Sequence, residues 1–493
     1  MRLAHKLVTG NKLFSIALGA GALLRLIAML GYPGALWFSG DSYVYLGAAL
    51  RPRPDLSKTT GYSFFLRALE PLHSLTLVTG VQHLMGLGVA VMVYALARRA
   101  GVSERWSVAA ALPVLLDGYQ IEDEHMVMAE TLFTFLIVLA MLLILWRATV
   151  RWPIALLAGI LAGYAVVVRS EGLPVLVLFP LALALRSGDN SKRRRWQWRK
   201  QWRRQWAAAG VMAAGCAMPV LAYVGWFHHV NHTYGLTRSD GFYLWGRASS
   251  FADCAVIRPP ADEARVCPSG VPSRRQPPGS YIWHAPMVHD LPGGPVSPAN
   301  DRLLRDFAIR AVEAQPFAYM GAVFKGLALS VEWPRNAKYP SAGTVRDYYF
   351  HLKPQVVPAS HSWIPGGTAY GDAASYGHAT PSRVFKPFAY PIAGYERLFY
   401  TYGPLFGLIM VTGAWGVWRR RRDSAPGWSA LPWVTAVVLL VFPIAIADFD
   451  YRYLLPVLPF AGLAAALAFA PAARLEECPE QTAAQVESSL SKG

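Results

Sequence analysis

The sequence predicts an all-α polytopic membrane protein with about ten transmembrane helices. Of its 493 residues, 54% are hydrophobic and only 16% are charged, whereas soluble domains carry about 25% charged residues. Apolar stretches near the length of about 20 residues that spans a bilayer recur along the chain. They lie at 13–31, 75–97, 106–118, 131–146, 152–168, 173–186, 206–228, 399–418, 428–447 and 453–470.

The distribution of charge predicts the orientation of these spans. The basic segments are 98–105, 147–151, 192–204 and 419–422, and the acid-rich turns are 118–130 and 448–452. Alternating spans place every basic segment on one side, which the positive-inside rule assigns to the cytoplasm. We therefore expect a multi-pass protein of the plasma membrane, with both termini cytoplasmic and the acidic turns outside. The net charge of +17 belongs to the inner segments and does not indicate nucleic-acid binding.

Composition divides the chain into four parts. They are an N-terminal transmembrane module at 1–228, a long extracytoplasmic region at 229–398, C-terminal transmembrane helices at 399–470 and a polar cytoplasmic tail at 471–493. The tail has the composition of a disordered segment. Within the outer region, the stretch 316–333 is apolar but carries Lys325, which favours an amphipathic helix on the membrane surface.

Two cysteines of the outer region, Cys254 and Cys267, lie close together in "FADCAVIRPPADEARVCP". Because the compartment outside a cell is oxidising, we predict a structural disulfide between them, with two unpaired thiols as the alternative. A loop of this size contributes about 3 kcal/mol in the chain-entropy model.

A single carboxylate, Asp41, follows the first span in "GYPGALWFSGDSYVYLGAAL". Pro33 and Gly34 end the first helix, and "DSYVYLGAAL" predicts a short helix along the membrane interface. In the simplest interpretation Asp41 or Ser42 caps that helix. The alternative role is that of a general base facing a substrate that arrives from the bilayer, and the two roles are compatible.

The second outer turn, "DGYQIEDEHMVMAETLF", gathers four acids and a histidine. They are Glu122, Asp123, Glu124, His125 and Glu130. Glu130 begins a span, where the helix dipole favours an acid whatever its function. The cluster exceeds what capping needs, so it is a candidate for binding a divalent cation or positioning a hydroxyl. A solvated acidic turn is the alternative.

The segment "VVVRSEGLP" places Arg169 and Glu171 at the outer end of a span. Ionisable groups at membrane depth are costly, which makes them functional candidates. A snorkelling ion pair near the interface is the alternative.

The last two spans are joined by "ADFDYRYLLPVLPF", which contains an Asp-x-Asp pair, Asp448 and Asp450. In soluble transferases such a pair can hold a metal and a nucleotide diphosphate, but topology places this one outside. The guanidinium of Arg452 suits a lipid phosphate through bidentate hydrogen bonds. Generic anchoring to lipid head groups is the alternative.

Together these segments resemble the GT-C superfamily of integral membrane glycosyltransferases, which use polyprenyl-phosphate-linked sugars on the extracytoplasmic face. The segment "SGDSYVYLGAAL" resembles the first outer loop and "TTGYSFFLRAL" the Gly-Tyr segment after it, while "EHMVMAETLFTFL" resembles the second outer loop and "RYLLPVLPF" the final helix. The resemblance covers roughly residues 13–186 and 399–470, and the region 229–398 corresponds only to the variable outer part.

The resemblance implies roles for the residues named above. The catalytic group is Asp41, Glu124, His125 and Glu130; the donor-phosphate group is Arg452 and Arg169; the candidates for metal or acceptor are Glu122, Asp123, Asp448 and Asp450. The implied partners are a polyprenyl-phosphate-linked sugar, membrane lipids and a glycan, lipid or protein acceptor, and the candidate cofactor is Mg²⁺ or Mn²⁺. Some family members carry paired acids in the first loop, whereas Ser42 follows Asp41 in this chain.

The implied chemistry requires one carboxylate and one cation. Polyprenyl phosphate is a good leaving group, so the remaining task is to deprotonate the acceptor hydroxyl while a cation such as Arg452 offsets the phosphate charge. A single displacement of this kind inverts the anomeric configuration. A lipid or glycolipid transporter is the main alternative, and it predicts ionisable residues deep within several spans. A non-catalytic assembly protein is a third class.

Overall fold

The computed structural model describes residues 11–38, 40–147, 149–185, 195–336, 339, 344–359, 364–377, 382–420 and 426–471, with the backbone alone at 195–201, 345–346 and 426–429. The predicted tail beyond residue 471 and the basic residues 192–194, Arg421 and Arg422 lie outside the described residues.

The prediction of an all-α chain is confirmed, because regular structure in the described ranges is helical and the bridge Leu36–Met126 is isolated. The first ten helices are α1 (Lys12–Gly31), α2 (Asp41–Leu50), α3 (Gly61–Leu69), α4 (Leu75–Arg99), α5 (Glu104–Leu116), α6 (Gly118–His125), α7 (Glu130–Leu145), α8 (Trp152–Val168), α9 (Val175–Ala184) and α10 (Arg195–Asn231). Short 3₁₀ turns occupy Glu70–Leu72 and Ser170–Gly172.

The middle of the chain forms shorter helices. They are α11 (Asp240–Ser249), α12 (Cys254–Ile257), α13 (Ala261–Ala264), α14 (Pro278–His284), α15 (Pro286–His289), α16 (Pro298–Ala314), α17 (Pro316–Leu329), α18 (Ala369–Ser375) and α19 (Lys386–Leu398), with 3₁₀ turns at Pro272–Arg274 and Thr344–Tyr348. The last helices are α20 (Gly403–Arg419), α21 (Pro426–Ile446) and α22 (Leu458–Leu467), and a 3₁₀ turn at Tyr451–Leu454 precedes α22.

Each of the ten apolar stretches coincides with a helix, but most of these helices are short. Within the described residues, α1, α4 and the part Trp202–Asn231 of α10 are long and apolar enough to cross a membrane. A fourth span results if α19 and α20, which meet at a bend of 58°, are counted as one. The shorter apolar helices have 10–17 residues, and 17 residues reach only about 26 Å against a hydrocarbon core of about 30 Å. The count of about ten spans therefore stays a prediction.

Small residues allow α8 and α10 to pack with their backbones in contact. A Cβ atom on Gly159 would lie 2.2 Å from the carbonyl oxygen of Met212, and one on Gly163 would lie 2.2 Å from that of Cys216. From the other side, a Cβ on Gly215 would lie 2.6 Å from the carbonyl oxygen of Leu156. Such close approach of small residues is the usual way in which apolar helices associate within a membrane.

The predicted outer region contributes to two different hydrophobic clusters. Its first part, from α11 to α16, has its own buried cluster around Trp245, Ile282 and Phe307. The structure joins Cys254 to Cys267 at the edge of this cluster, with Cα atoms 6.4 Å apart. Hydrophobic side chains of the later part of the predicted outer region, among them Tyr348, Val357, Tyr376 and Ala393, are instead buried in the same cluster as the apolar helices. The boundaries of the four predicted parts remain predictions.

The bridge at Leu36 ties the first outer segment to the second outer turn. The amide of Leu36 donates to the carbonyl of His125 over 2.9 Å, and its own carbonyl accepts from Val127 over 3.2 Å. The start of α2 is thereby held beside the start of α7. This contact brings Asp41 and Glu130 into one neighbourhood.

Candidate active site

Asp41 is the first residue of α2, and its side chain does not cap the helix. The preceding Gly40 has φ +82°, a left-handed conformation that glycine adopts without steric cost. Ser42 instead fixes the turn, because its hydroxyl accepts from the amide of Phe38 over 2.9 Å and donates to the carbonyl of Val127 over 3.0 Å. The Asp41 carboxylate is therefore available for other partners.

Two cationic side chains from distant segments bind the carboxylate of Asp41. Arg452 Nη1 lies 2.7 Å from Asp41 Oδ2, and the Lys58 ammonium forms an ion pair with Oδ1. Residues 41–49 are buried, so α2 is enclosed by protein and does not lie open at the surface. Burial alone would raise the pKa of Asp41, but the charges of Lys58 and Arg452 outweigh burial and hold that pKa below its usual range.

Arg452 is held in place by Asp450 of the Asp-x-Asp segment, and its side chain is not exposed to lipid head groups. Asp450 Oδ2 lies 2.9 Å from Arg452 Nε, and Asp450 Oδ1 accepts from the Arg452 amide over 3.0 Å. The Tyr348 hydroxyl also donates to Asp450. The Arg452 side chain is only 14% exposed. Head-group anchoring, the alternative considered for Arg452, does not describe this geometry.

Glu130 and Arg169 complete the charged site. The Arg169 guanidinium forms an ion pair with Glu130 and, through Nη2, a second one with Glu171 Oε1 at 2.8 Å. Arg452 Nη1 lies 3.7 Å from Glu130 Oε1, so this group adjoins the Asp41–Arg452 pair. The acids Asp41, Glu130, Glu171 and Asp450 and the bases Lys58, Arg169 and Arg452 give the site four acidic and three basic side chains.

Glu124 and His125 belong to a different network, among α1, α4 and α6. Arg25 binds Glu124 bidentately, with both N–O distances at 2.7 Å. His83 Nδ1 lies 2.9 Å from Glu124 Oε2, and His83 Nε2 lies 3.0 Å from His125 Nδ1. All four side chains are buried. Their contacts join three helices, and the catalytic role predicted for Glu124 and His125 stays a prediction.

Glu122 and Asp123 are also buried, and they face different neighbours. Glu122 lies against Glu396 of α19, and burial first and the Glu396 carboxyl second raise the pKa of Glu122 above its usual value. Asp123 accepts a long hydrogen bond of 3.4 Å from Thr131 and lies within electrostatic range of Glu130. The solvated acidic turn, the alternative weighed for this cluster, does not describe buried side chains.

Asp448 faces the outer region, away from its Asp-x-Asp partner. Its Oδ2 accepts from the amide of Gly279 over 2.6 Å, and Arg247 Nη2 lies 3.7 Å from its Oδ1. Burial raises the pKa of Asp448 to about 7, although Arg247 opposes this shift. The two acids of the pair therefore do not converge on one ligand.

The residues around Asp41 do not fit a divalent cation in this arrangement. Lys58 and Arg452 engage the oxygens of Asp41, and Arg169 engages Glu130, so a metal ion there would meet three positive charges. Among the described residues no group of three or more His, Cys, Asp or Glu side chains has a metal-binding arrangement. We therefore derive no step through a metal, and Mg²⁺ or Mn²⁺ stays a prediction.

Lys58 and Tyr45 are members of the site that the sequence analysis did not single out. Lys58 stands in a turn in which Asp55 Oδ1 accepts from the amides of Ser57 and Lys58 over 2.9 and 3.0 Å. It directly precedes the "TTGYSFFLRAL" segment, and a cation next to that segment was the available clue. Tyr45 follows Asp41 by one helical turn and shares its electrostatic environment.

Fold and site together define a helical membrane protein in which segments between the apolar helices enclose a buried group of acids and bases. A family model described as dolichyl-phosphate-mannose-protein mannosyltransferase matches residues 76–234, less than half of the chain. This is a GT-C family, so the predicted resemblance to the GT-C superfamily is confirmed. The matched segment includes Glu130 and Arg169 but neither Asp41 nor Arg452.

Solved structures similar to this chain include the oligosaccharyltransferase AglB of Archaeoglobus fulgidus. Its complex with an inhibitory peptide and a dolichol-phosphate has 11% identity and a TM-score of 0.42, covering 92% of this chain and 50% of that one. The apo form has 12% identity and a TM-score of 0.43, with the same coverage. The complex with Zn and sulfate has 12% identity and a TM-score of 0.41, covering 91% and 48%.

The chain thus spans about half the length of the solved structures that it matches. Their TM-scores are too low for any inference about this chain. No curated protein matches the sequence.

Proposed function

We propose that this protein is a membrane glycosyltransferase that moves a sugar from a polyprenyl-phosphate donor to an extracytoplasmic acceptor. The observation that carries the proposal is the contact between Asp41 and Arg452, whose side chains lie 2.7 Å apart although 411 residues separate them in sequence. A carboxylate and a phosphate-binding cation are the two groups that the reaction requires. The match to dolichyl-phosphate-mannose-dependent enzymes over 76–234 supports a lipid-linked sugar donor.

Asp41 serves as the general base for the acceptor hydroxyl. In the structure its carboxylate is occupied by Arg452 and Lys58, which lower its pKa and make it a weak base. A donor phosphate draws these two cations toward its own oxygens, because both are strong phosphate-binding groups. The Asp41 carboxylate is then free to accept the proton of the hydroxyl that attacks the anomeric carbon.

Arg452 and Lys58 stabilise the leaving phosphate as its charge develops. The neighbouring acids hold these cations in position, Asp450 on Arg452 and Glu130 between Arg452 and Arg169. With Asp41 as the base and no covalent glycosyl intermediate, the proposed reaction is a single displacement that inverts the anomeric configuration. In this account the site opens on the extracytoplasmic side of the plasma membrane and both termini are cytoplasmic.

A transporter is the second candidate, because Arg25 and His83 lie within predicted spans. Ionisable groups inside spans often mark transport pathways. Here, however, Arg25, His83 and Glu124 bind one another in a closed group of hydrogen bonds, which favours a structural role. We rank glycosyl transfer first for this reason.

The test is to incubate the purified full-length protein in proteoliposomes with several polyprenyl-phosphate sugars and candidate acceptors. Mass spectrometry should find an acceptor whose mass has increased by one sugar, together with released polyprenyl phosphate. A lipid that changes leaflet without any change in mass would instead identify a transporter and would overturn the proposal.

A further inference from the structure

Arg247 is a buried arginine without a hydrogen-bond acceptor in the part of the chain that the structure describes. It lies on α11 and is only 3% exposed. Its Nε and Nη2 atoms are buried and donate no hydrogen bond within the described residues. A guanidinium has five N–H donors, and buried donors of a charged group are costly to leave unpaired.

Asp448 is the nearest acid, but it does not satisfy Arg247. The distance of 3.7 Å from Arg247 Nη2 to Asp448 Oδ1 exceeds that of a hydrogen bond. Both oxygens of Asp448 already accept from backbone amides, Oδ2 from Gly279 over 2.6 Å and Oδ1 from Phe449 over 2.7 Å. The acid is therefore committed to holding the outer segment against the last outer turn, and the Arg247 donors remain open.

Arg247 adjoins the candidate active site on the side of the outer region. It lies within electrostatic range of Tyr453 and Tyr339. The ring of Tyr453 in turn lies 5.7 Å from the Arg452 guanidinium carbon and 5.8 Å from that of Arg169. Tyr453 is thus a shared neighbour of Arg247 and of the two arginines that bind Asp41 and Glu130.

We propose that Arg247 binds an oxyanion of a substrate, a phosphate or carboxylate group, at the junction between α11 and the Asp448–Arg452 turn. The planar guanidinium matches either group through two parallel hydrogen bonds, which would satisfy the open donors. Arg452 and Arg169 are engaged by acids, whereas no acid of the described ranges lies within hydrogen-bond distance of Arg247. This inference rests on the proposed function, since it concerns a substrate of the same site.

The experiment measures ligand binding by purified full-length protein without turnover. The probes are decaprenyl phosphate, which mimics the donor, and inorganic phosphate, which mimics a soluble oxyanion. We expect Arg247→Gln to weaken binding of at least one probe by about 10- to 100-fold, as for loss of charged hydrogen bonds. Arg247→Lys keeps the positive charge but loses the planar guanidinium, so its affinity should lie between those of wild type and Arg247→Gln. If Arg247→Gln does not fold, Arg247→Lys is measured in its place.

The matched control is Arg310→Gln. Arg310 lies on α16 of the same region and binds Glu263 through two hydrogen bonds of 3.0 Å, with its side chain 44% exposed. This variant should bind both probes like wild type.

The two probes distinguish the sources of the oxyanion. A loss confined to decaprenyl phosphate assigns the oxyanion to the donor, and a loss confined to inorganic phosphate assigns it to the acceptor side. Wild-type affinity of the Arg247 variants for both probes overturns the inference. Wild-type protein that binds decaprenyl phosphate but transfers no sugar would overturn the proposed function and leave this inference standing.

Discussion

At the scale of single residues, the contact between Asp41 and Arg452 alters the basicity of the carboxylate and the effective charge of the guanidinium. Arg452 lowers the basicity of Asp41, and Asp41 neutralises part of the charge that a donor phosphate would meet. A substrate that separates the two groups therefore changes both at once. This coupling explains how one carboxylate can be unreactive without donor and basic with donor bound.

Replacement of Arg452 should reveal this coupling in the pH profile. Arg452→Gln removes a charge that lowers the pKa of Asp41, so that pKa should rise and the acidic limb of kcat/KM should move to higher pH. The rate itself should fall about 100-fold or more, because phosphate stabilisation is lost. A rate loss with an unshifted acidic limb would show that Arg452 does not act on Asp41.

Asp448 should make stability depend on pH. Its pKa is raised to about 7 in the folded protein, whereas an unfolded aspartate has about 3.9. The folded state therefore binds the proton more tightly, and stability should fall as pH rises between these two values. Asp448→Asn keeps an oxygen for the Gly279 amide, so its melting temperature should vary less than that of wild type between about pH 4 and pH 7. If the melting temperature of Asp448→Asn depended on pH as steeply as that of wild type, the raised pKa of Asp448 would be refuted.

The sequence predicted part of the site at this scale. Asp41, Glu130, Arg169 and Arg452 were each singled out as charged residues near the ends of apolar stretches, and the structure brings these four together. Lys58 was missed because its position before the "TTGYSFFLRAL" segment does not by itself place it beside Asp41. Its role depends on the fold of the segment after α2.

At the scale of helices, buried ion pairs and close backbone contacts hold the elements together. Arg25 of α1 and Glu124 of α6 form a bidentate pair with side chains at most 2% exposed. Arg25 also donates to the carbonyls of Leu115 and Val114 in α5. One arginine thus joins three helices, and Arg25 could have been noticed as an ionisable residue within the first span.

Glu124→Gln should destabilise the protein while leaving the Asp41 site intact. Loss of the carboxylate leaves Arg25 buried without its counter-charge, which costs about 3–5 kcal/mol. Thermal unfolding in detergent should show a clear fall in melting temperature, whereas Glu313→Gln, at an exposed position of α16, should not. Equal melting temperatures for the two variants would contradict the structural role of the network.

Two glycines of α10 test the packing of α8 against α10. Gly215→Ala should destabilise the protein, because the added Cβ would lie 2.6 Å from the Leu156 carbonyl oxygen. Gly225→Ala, with no atom within 4 Å of its Cβ, should be neutral or stabilise by up to about 1 kcal/mol through helix propensity. Melting temperatures measured in the same detergent compare them directly. A Gly215 variant as stable as the Gly225 variant would contradict the packing.

At the scale of the whole molecule, the apolar stretches predicted the long helices but not the fold of the predicted outer region. The ten apolar stretches each became a helix because their length and composition favour helix whatever their neighbours. The segment from α11 to α16 folds around Trp245 and Phe307 mostly through short helices, three of them of four residues. Non-local packing determines such helices, so sequence patterns alone did not reveal them.

The proposed reaction takes place where the predicted outer region, the first two predicted outer turns and the last one meet. Asp448 connects the last turn to α14 through Gly279, and Arg452 connects it to α2 through Asp41. Distant parts of the chain must therefore assemble before the site exists. The central claim is that Asp41 is the base within this assembly.

Sugar transfer by Asp41→Asn tests that claim most directly. The variant is compared with Asp372→Asn, a matched change at another buried aspartate outside the candidate site. Asp372 Oδ1 lies 2.6 Å from Arg51 Nη1. We expect Asp41→Asn to lower the transfer rate by about 100- to 10,000-fold with donor still bound, and Asp372→Asn to retain the wild-type rate. A folded Asp41→Asn protein that transfers sugar at the wild-type rate would contradict the account.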